Sequence, residues 1–292
     1  MEIGRLGVWT FTDLLDRADA TRFVRRIEEL GYGALWIPEA VGFDPFVRAA
    51  FLLERSERLV VATGIANVYA RDAMAMKGAQ HALASQYDGR FLLGLGVSHA
   101  PFVEGMRGHR YGRPVATMRA YLDAMEAAVY GGPPLAKPPP VVLGALRPRM
   151  LELARDRTRG AHPYLTTVEH TRRARALLGP DAWLCPEVKV LLERDPAKAR
   201  KLALEACRVN LSLPNYRACL RWLGYYDEGL PDGASARLLD DLVAWGDAEA
   251  LRARIDAHLE AGASHVCVHP IHPDGGHAPH LEVLEALAPR GR

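Results

Sequence analysis

Apolar residues recur along this chain in two alternating rhythms. Short runs such as "IGRLGVW" (3–9), "YGALWIPE" (32–39), "RLVVATGIAN" (58–67) and "RFLLGLG" (90–96) have the length and composition of buried strands. Between them lie longer amphipathic stretches. In "ATRFVRRIEELG", Phe23, Val24, Ile27 and Leu30 fall on one helical face and Gly31 follows as a terminator. "DPFVRAAFLLERS", with Pro45 in its first turn, "DAMAMKGAQHALASQY" and "PVATMRAYLDAMEAAVYGG" continue the helical series.

The proline-rich "GGPPLAKPPP" interrupts this order. It reads as a stiff surface connection, because the alternation resumes directly after it. "VVLGAL" with "PRMLELARDRT", and "GAHPYL" with "EHTRRARALLG", supply a fifth and a sixth strand–helix pair. "LCPEVKVLLE" is a seventh strand. A helical region follows from Pro196 to about Gly262, broken at "LPNY" and "EGLPDG". "HVCVHPI" and "HLEVLEAL" close the series. Eight strand–helix pairs in 292 residues predict a single (βα)8 TIM-like barrel domain over 1–292, with extra helices between strands seven and eight. A doubly wound open sheet is the alternative.

Barrel chemistry sits at the C-terminal ends of the strands. That rule selects Trp9, Glu39, residues 64–67 and 94–99, Gly144, residues 162–164, Glu187, His269 and His272. The strand ends "TGIAN" and "GLGVSH" both bring glycine to the mouth. Glycine inside a strand marks tight packing, a turn or the close approach of a ligand. Two such ends side by side would form a shallow surface for a flat ring. "GLGVS" is not a dinucleotide fingerprint, since the third glycine is missing. Glu39 is either a surface or capping residue or, beside a ring site, an acid–base group. Thr166 or Thr167 can cap the helix after strand six, Thr166 with Glu169 fits a capping box, and the same N-terminus could receive a phosphate. His162 and His170 are ligand contacts or satisfied polar residues. Arg71, Arg107, His109, Arg110 and Arg113 lie on mouth loops, where a polyanionic ligand would give them a role.

Charge and composition narrow the classes. A formal net charge of +2 with scattered basic residues gives no reason to expect nucleic acid. Four cysteines without CxxC spacing suggest buried thiols of a reducing compartment. The N-terminus lacks the features of a signal peptide, and no apolar run approaches the ~18 residues of a membrane span, so a soluble cytoplasmic protein is expected. The histidine-rich "HVCVHPIHPDGGHAPH" has irregular spacings and predicts no metal site. Ser98 and His99 are no triad, because neighbouring strand residues point to opposite faces.

"GVW", "ELGYGALWIPE", "VVATGIANVYARD", "GRFLLGLGVSHAP", "GAHPYL…EHT" and "AGASHV" resemble the bacterial-luciferase-like superfamily, and more closely its coenzyme F420-dependent oxidoreductases. The resemblance runs from about Gly4 to Val268. It implies a barrel holding a deazaflavin at its mouth, with a non-prolyl cis peptide, here Gly64–Ile65, forming a bulge behind the ring. By the same resemblance Gly64, Ile65, Ala66 and Asn67, then Gly94, Gly96, Val97 and Ser98, line the cofactor. Ala161, His162, Pro163, Tyr164 and Thr167 suit its phosphate arm. This chain departs from the pattern at Ala40, where many relatives carry histidine, and at Ala73, where proline is common.

The activity so implied is hydride transfer between deazaflavin C5 and a small organic substrate. Glu39 is the first candidate for acid–base work and His99 the second, with Trp9 stacking on substrate. An FMN-dependent monooxygenase and a non-catalytic flavin-binding protein are the alternatives. A homodimer is expected by resemblance and from the methionines of "DAMAMKGA".

Overall fold

The computed structural model describes residues 1–225, 234–276 and 278–289. Eleven strands occur among them: β1 (Leu6–Trp9), β2 (Ala34–Ile37), β3 (Val60–Thr63), β4 (Ala66–Asn67), β5 (Phe91–Gly96), β6 (Val141–Leu143), β7 (Gly160–Ala161), β8 (Trp183–Leu184), β9 (Glu187–Leu192), β10 (Val243–Gly246) and β11 (Val266–Pro270). The helices are α1 (Arg17–Glu29), α2 (Pro45–Leu53), α3 (Ala73–Gln86), α4 (Ala100–Gly105), α5 (Pro114–Ala127), α6 (Pro148–Arg157), α7 (Val168–Leu178), α8 (Pro196–Ser212), α9 (Pro214–Leu223), α10 (Ala236–Leu242), α11 (Ala248–Glu260) and α12 (Leu281–Ala286).

Short polar side chains set where many helices begin. Asp16, Asp72, Asp195 and Asp247 each accept a first-turn N–H, and Asp44 accepts two, from Phe46 and Val47. The periodicity then decides what is buried. The α1 face of Ala20, Phe23, Val24 and Ile27 packs in the layer that also holds Val8, Leu35 and Val61 from the strands. Residues of the opposite strand parity, Trp9, Trp36, Ala62, Leu92, Val142, Cys185 and Cys267, form a separate cluster that fills the barrel. A third cluster joins α8, α9 and α10 to the rim through Leu202, Leu211, Tyr216, Leu220 and Leu238.

All pairings are parallel, in the order β10-β9-β11-β1-β2-β3-β5-β6-β7-β8, with β4 also pairing β5. Strand seven of the expected barrel is broken at Cys185–Pro186 into β8 and β9. The break does not open the wall. Cys185 N–H donates to Ala161 O (2.9 Å) and Glu187 N–H to Pro163 O (2.8 Å), while Cys267 N–H donates to Pro186 O (2.9 Å) from the other side. The sheet thereby closes into the expected TIM-like barrel.

One expectation changes. "VAWG", inside the stretch expected to be helical, is the strand β10, paired with Lys189–Leu192 of β9. The break at "LPNY" appears between α8 and α9. The one expected at "EGLPDG" lies outside the described residues. Of the two methionines offered for self-association, Met76 is fully buried and Met74 is 60% exposed. All four cysteines are free and buried.

Candidate active site

The Gly64–Ile65 peptide at the end of β3 is cis, and the bulge it makes is pinned from several sides. Gly64 N–H donates to Ile37 O (2.8 Å), Trp9 Nε1–H donates to Gly64 O (3.1 Å), and Ile65 O accepts from Glu39 N–H (3.3 Å). A side chain at residue 64 is excluded by neighbours: its Cβ would come 2.6 Å from Trp9 Nε1 and 2.9 Å from His162 Nε2. Ala66 and Asn67 continue as β4. Asn67 N–H donates to Glu39 Oε2 (2.7 Å), and the Asn67 side chain accepts from Tyr69 N–H (3.0 Å).

The space over the mouth glycines is taken by this bulge. A Cβ at Gly94 would lie 2.1 Å from Thr63 O, and one at Gly96 would lie 2.3 Å from Ile65 Cδ1. Gly144, at the end of β6, faces Ile65 Cγ2 at 3.4 Å. Gly94 and Gly96 were expected to lie bare against a ring. They instead form, with Gly144, the floor on which Ile65 rests, and half-buried Ile65 is what the mouth presents. Val97 is buried in the outer layer, and Ser98 turns the chain with φ +53°, its carbonyl accepting from Tyr111 Oη (3.1 Å).

Glu39 is a held carboxylate. Arg71 donates through both terminal nitrogens, at 2.9 and 2.7 Å, and Arg107 stands 3.6 Å away. Arg71 also pairs with Asp44 at 3.0 Å. Removing one partner of so buried a pair leaves the other charge uncompensated. Arg71→Met is therefore expected to cost about 2–4 kcal/mol, read as a lowered denaturation midpoint. An unchanged midpoint would mean that Arg107 replaces it. Arg110 and Arg113 are exposed and carry no ion pair among the described residues.

His99 stands at the start of α4, half-buried, with its ring 5.6 Å from Tyr216 and 6.0 Å from Phe102. Burial pulls its imidazole down to about 4, so it is neutral at pH 7. Trp9 was expected to stack on substrate. Its ring is 2% exposed and enclosed by Phe11, Tyr164 and His269, so what it supplies is the hydrogen bond that pins Gly64.

After β7 the chain runs through His162, Pro163, Tyr164 and Leu165 to α7. His162 points down rather than out. Its Nδ1–H donates to Cys185 O (2.7 Å), its ring stacks on Trp36 at 4.4 Å, and its Nε2 has no partner. Thr167, not Thr166, caps α7 by accepting from His170 N–H (3.2 Å). Glu169 pairs with Arg172 and Arg173 instead of closing a capping box. The Thr166 hydroxyl is left buried and without a partner beside that N-terminus.

Across the barrel stands a polar cluster built on the inner positions of β9 and β11. Glu187 and Lys189 are two residues apart and therefore share a face. Lys189 Nζ lies 3.1 Å from Glu187 Oε1, 2.9 Å from His269 Nδ1 and 2.9 Å from Tyr164 Oη. His269 Nδ1 also reaches Glu187 Oε1 at 2.5 Å. The other Glu187 oxygen accepts Leu165 N–H at 2.8 Å, which holds the turn where Leu165 adopts φ +54°. Burial alone would raise the Glu187 carboxyl, but Lys189, His269 and the Leu165 amide outweigh it and hold Glu187 below the usual carboxylate range.

With this geometry in view, the comparisons are decisive for the family. The luciferase-like monooxygenase family matches residues 4–265. The chain belongs to that family. A Mycobacterium tuberculosis protein named provisionally as a coenzyme F420-dependent oxidoreductase, Rv3520c, is 28% identical over 80% of this chain and 60% of its own length. The chain thus spans about 60% of that curated relative. Among solved structures, an F420-dependent secondary alcohol dehydrogenase with an F420–acetone adduct superposes over 99% of this chain and 97% of its own, with TM-score 0.76 and 13% identity. The F420-dependent tetrahydromethanopterin reductase of Methanopyrus kandleri gives 0.73 and 13% identity, covering 98% of each chain. The FMN-bound oxygenating constituent of 3,6-diketocamphane monooxygenase from Pseudomonas putida gives 0.69 and 15%, covering 97% of this chain and 96% of its own.

In this luciferase-like chain, sequence reasoning passed over Lys189. The signal was present in "EVKVLL", where opposite charges share one face of an otherwise apolar barrel strand. Among the described residues no group of three or more His, Cys, Asp or Glu side chains could hold a metal ion, and no helix is long and apolar enough to cross a membrane. His277 of the histidine-rich stretch lies outside the described residues.

Proposed function

We propose that this luciferase-like protein is a coenzyme F420-dependent oxidoreductase acting on a small organic substrate. The observation that carries this reading is the extended match to a relative named for F420, covering most of this chain. The mouth fits such a group. Ile65, raised on three glycines, offers an apolar shelf for one face of a planar ring. The α7 N-terminus, with the orphaned Thr166 hydroxyl beside it, suits a phosphate arm. Arg110 and Arg113 offer free cations to an acidic tail.

Bound there, the deazaflavin supplies the hydride acceptor or donor. The chain's part is placement. Glu39, Arg71 and Asn67 hold the bulge at a fixed height. Neutral His99 offers the substrate an uncharged donor or acceptor. Glu39, engaged by Arg71 and Asn67, serves better as an anchor than as a proton carrier. The protein works as a homodimer in the cytoplasm.

FMN is the second reading, supported by the FMN-bound neighbour of the same fold. Fluorescence titration with both cofactors separates the two. F420 is expected to bind with micromolar affinity or better, roughly −8 kcal/mol. Tight FMN binding without any response to F420 would reverse the assignment.

A further inference from the structure

Lysine and glutamate are seldom fully buried unless paired, and here both stand inside the barrel with side-chain exposures of 3% and 0%. Such pairs add little net stability over well-packed apolar residues. No part of the proposed cofactor site uses them. What they do is hold Tyr164. Glu187 grips the turn after it through Leu165 N–H, and Lys189 reaches its phenol oxygen from below.

The donor and acceptor roles follow from the inventory of each group. An ammonium has three donors and no acceptor, so Lys189 donates and Tyr164 Oη accepts. The phenolic hydrogen is then directed elsewhere, and no acceptor takes it among the described residues. Tyr164 is half-buried, unlike the other members of the cluster, so it is the member that solvent and a small molecule can reach. Its ring lies 4.9 Å from that of Trp9, whose Nε1–H holds Gly64 of the bulge. A hydroxyl donor backed by a cation and placed beside the cofactor shelf is suited to an oxygen that gains negative charge.

We propose that Tyr164, charged from beneath by Lys189 and held by Glu187, is the catalytic proton donor to the oxygen of a carbonyl substrate, and the acceptor when the corresponding alcohol is oxidised. This rests on the reading of the mouth as a deazaflavin hydride-transfer site. In the reducing direction the carbonyl carbon takes a hydride from the reduced deazaflavin, and the carbon–oxygen π pair moves to oxygen. That oxygen takes the Tyr164 proton, giving the alcohol and the oxidised cofactor. The phenolate left beside the Lys189 ammonium regains its proton from water at the mouth. In the oxidising direction each transfer runs backwards. Lys189 and Glu187 are positioning residues.

The test uses the full chain and an oxyanion probe that needs no cofactor. 4-Nitrophenol absorbs differently as phenol and phenolate, so titrating the cofactor-free protein reads the form bound. The wild type is expected to bind the phenolate in preference to the phenol. Tyr164→Phe, which keeps the ring, should weaken phenolate binding at least tenfold while the melting temperature stays near wild type. With reduced F420 and a panel of simple ketones and aldehydes, its kcat should fall at least a hundredfold. Lys189→Met alone leaves Glu187 with His269 and the Leu165 amide but without its cation, and can unfold the barrel. The double variant Glu187→Gln/Lys189→Met removes both charges and should fold, yet lose phenolate preference.

Wild-type protein that ignores the phenolate, or Tyr164→Phe with unaltered probe binding and unaltered carbonyl reduction, overturns the proposal. Absence of F420 binding with a normal, Tyr164-dependent phenolate titration instead overturns the cofactor reading and leaves the oxygen site standing.

Discussion

Between pH 7 and pH 5 the protein is expected to lose most of its stability. His162, His170, His258 and His265 are almost completely buried. Burial pulls His162, His170 and His265 down to about 4 and His258 to about 3. An unfolded histidine titrates near 6.5. In the window from 6.5 down to 4 the unfolded chain therefore binds protons that the folded chain refuses. Stability is fully present above about pH 6.5 and is lost as the pH falls toward the folded values. At pH 5 each histidine contributes a loss of up to about 2 kcal/mol, and because His170 helps to lower His258 and His162 helps to lower His265, the four together stay below about 8 kcal/mol. A domain commonly has only about 5–15 kcal/mol in total.

The bonding explains why these rings resist a second proton. His265 donates from Nδ1 to Gly4 O (2.9 Å), and its Nε2 accepts from Trp36 Nε1–H (3.1 Å), so protonation breaks the Trp36 bond. In His162, His170 and His258 one nitrogen is bonded and the other is buried with no partner to take a new hydrogen. Circular dichroism against pH, with denaturant melts at pH 7, 6 and 5, measures the effect. A flat denaturation midpoint across that range would show that these rings titrate freely in the folded protein.

The second large effect separates two glycines that look alike in "GLGVSH". Gly94→Ala is expected to cost about 3 kcal/mol or more, because its Cβ meets the Thr63 carbonyl, a backbone atom that cannot rotate away. Thr63 is further fixed by its hydroxyl, which donates to Gly94 O (2.8 Å) and accepts from Gly94 N–H (2.9 Å). Gly96→Ala meets the end of the Ile65 side chain, which can turn. Its cost should stay near 1–2 kcal/mol. The displaced Ile65 would rise into the mouth, and F420 affinity should fall about tenfold, or ~1.4 kcal/mol. Denaturant melts and fluorescence quenching on the same preparations read both quantities. Equal destabilisation of the two variants with normal F420 binding would remove Ile65 from the role of shelf.

Much of the architecture was legible in residue order. Period-two and helical rhythms mark local burial, which depends on neighbours a few residues away. Hence the strands and the barrel followed from pattern alone, and family resemblance singled out Gly64–Ile65 as the cis peptide. Rhythm failed at β10, because "VAWG" becomes a strand only by pairing with β9, more than fifty residues earlier.

At the site the division is similar. The sequence indicated which residues stand at strand ends, and that glycine there makes room for something. It could not say for what. The filler is Ile65, about thirty residues before Gly94 and Gly96, and only the folded bulge brings it over them. Glu39 stood between a surface or capping residue and an acid–base group until the loop after β4 returned Arg71 to it. Lys189 looked like any strand lysine until barrel closure set it between Tyr164 and His269, which are 25 and 80 residues away. Local sequence determines which face a side chain takes. Its partner across the barrel is decided by how the sheet closes, and it is these cross-barrel partners that give Tyr164, Lys189 and Glu187 their chemistry.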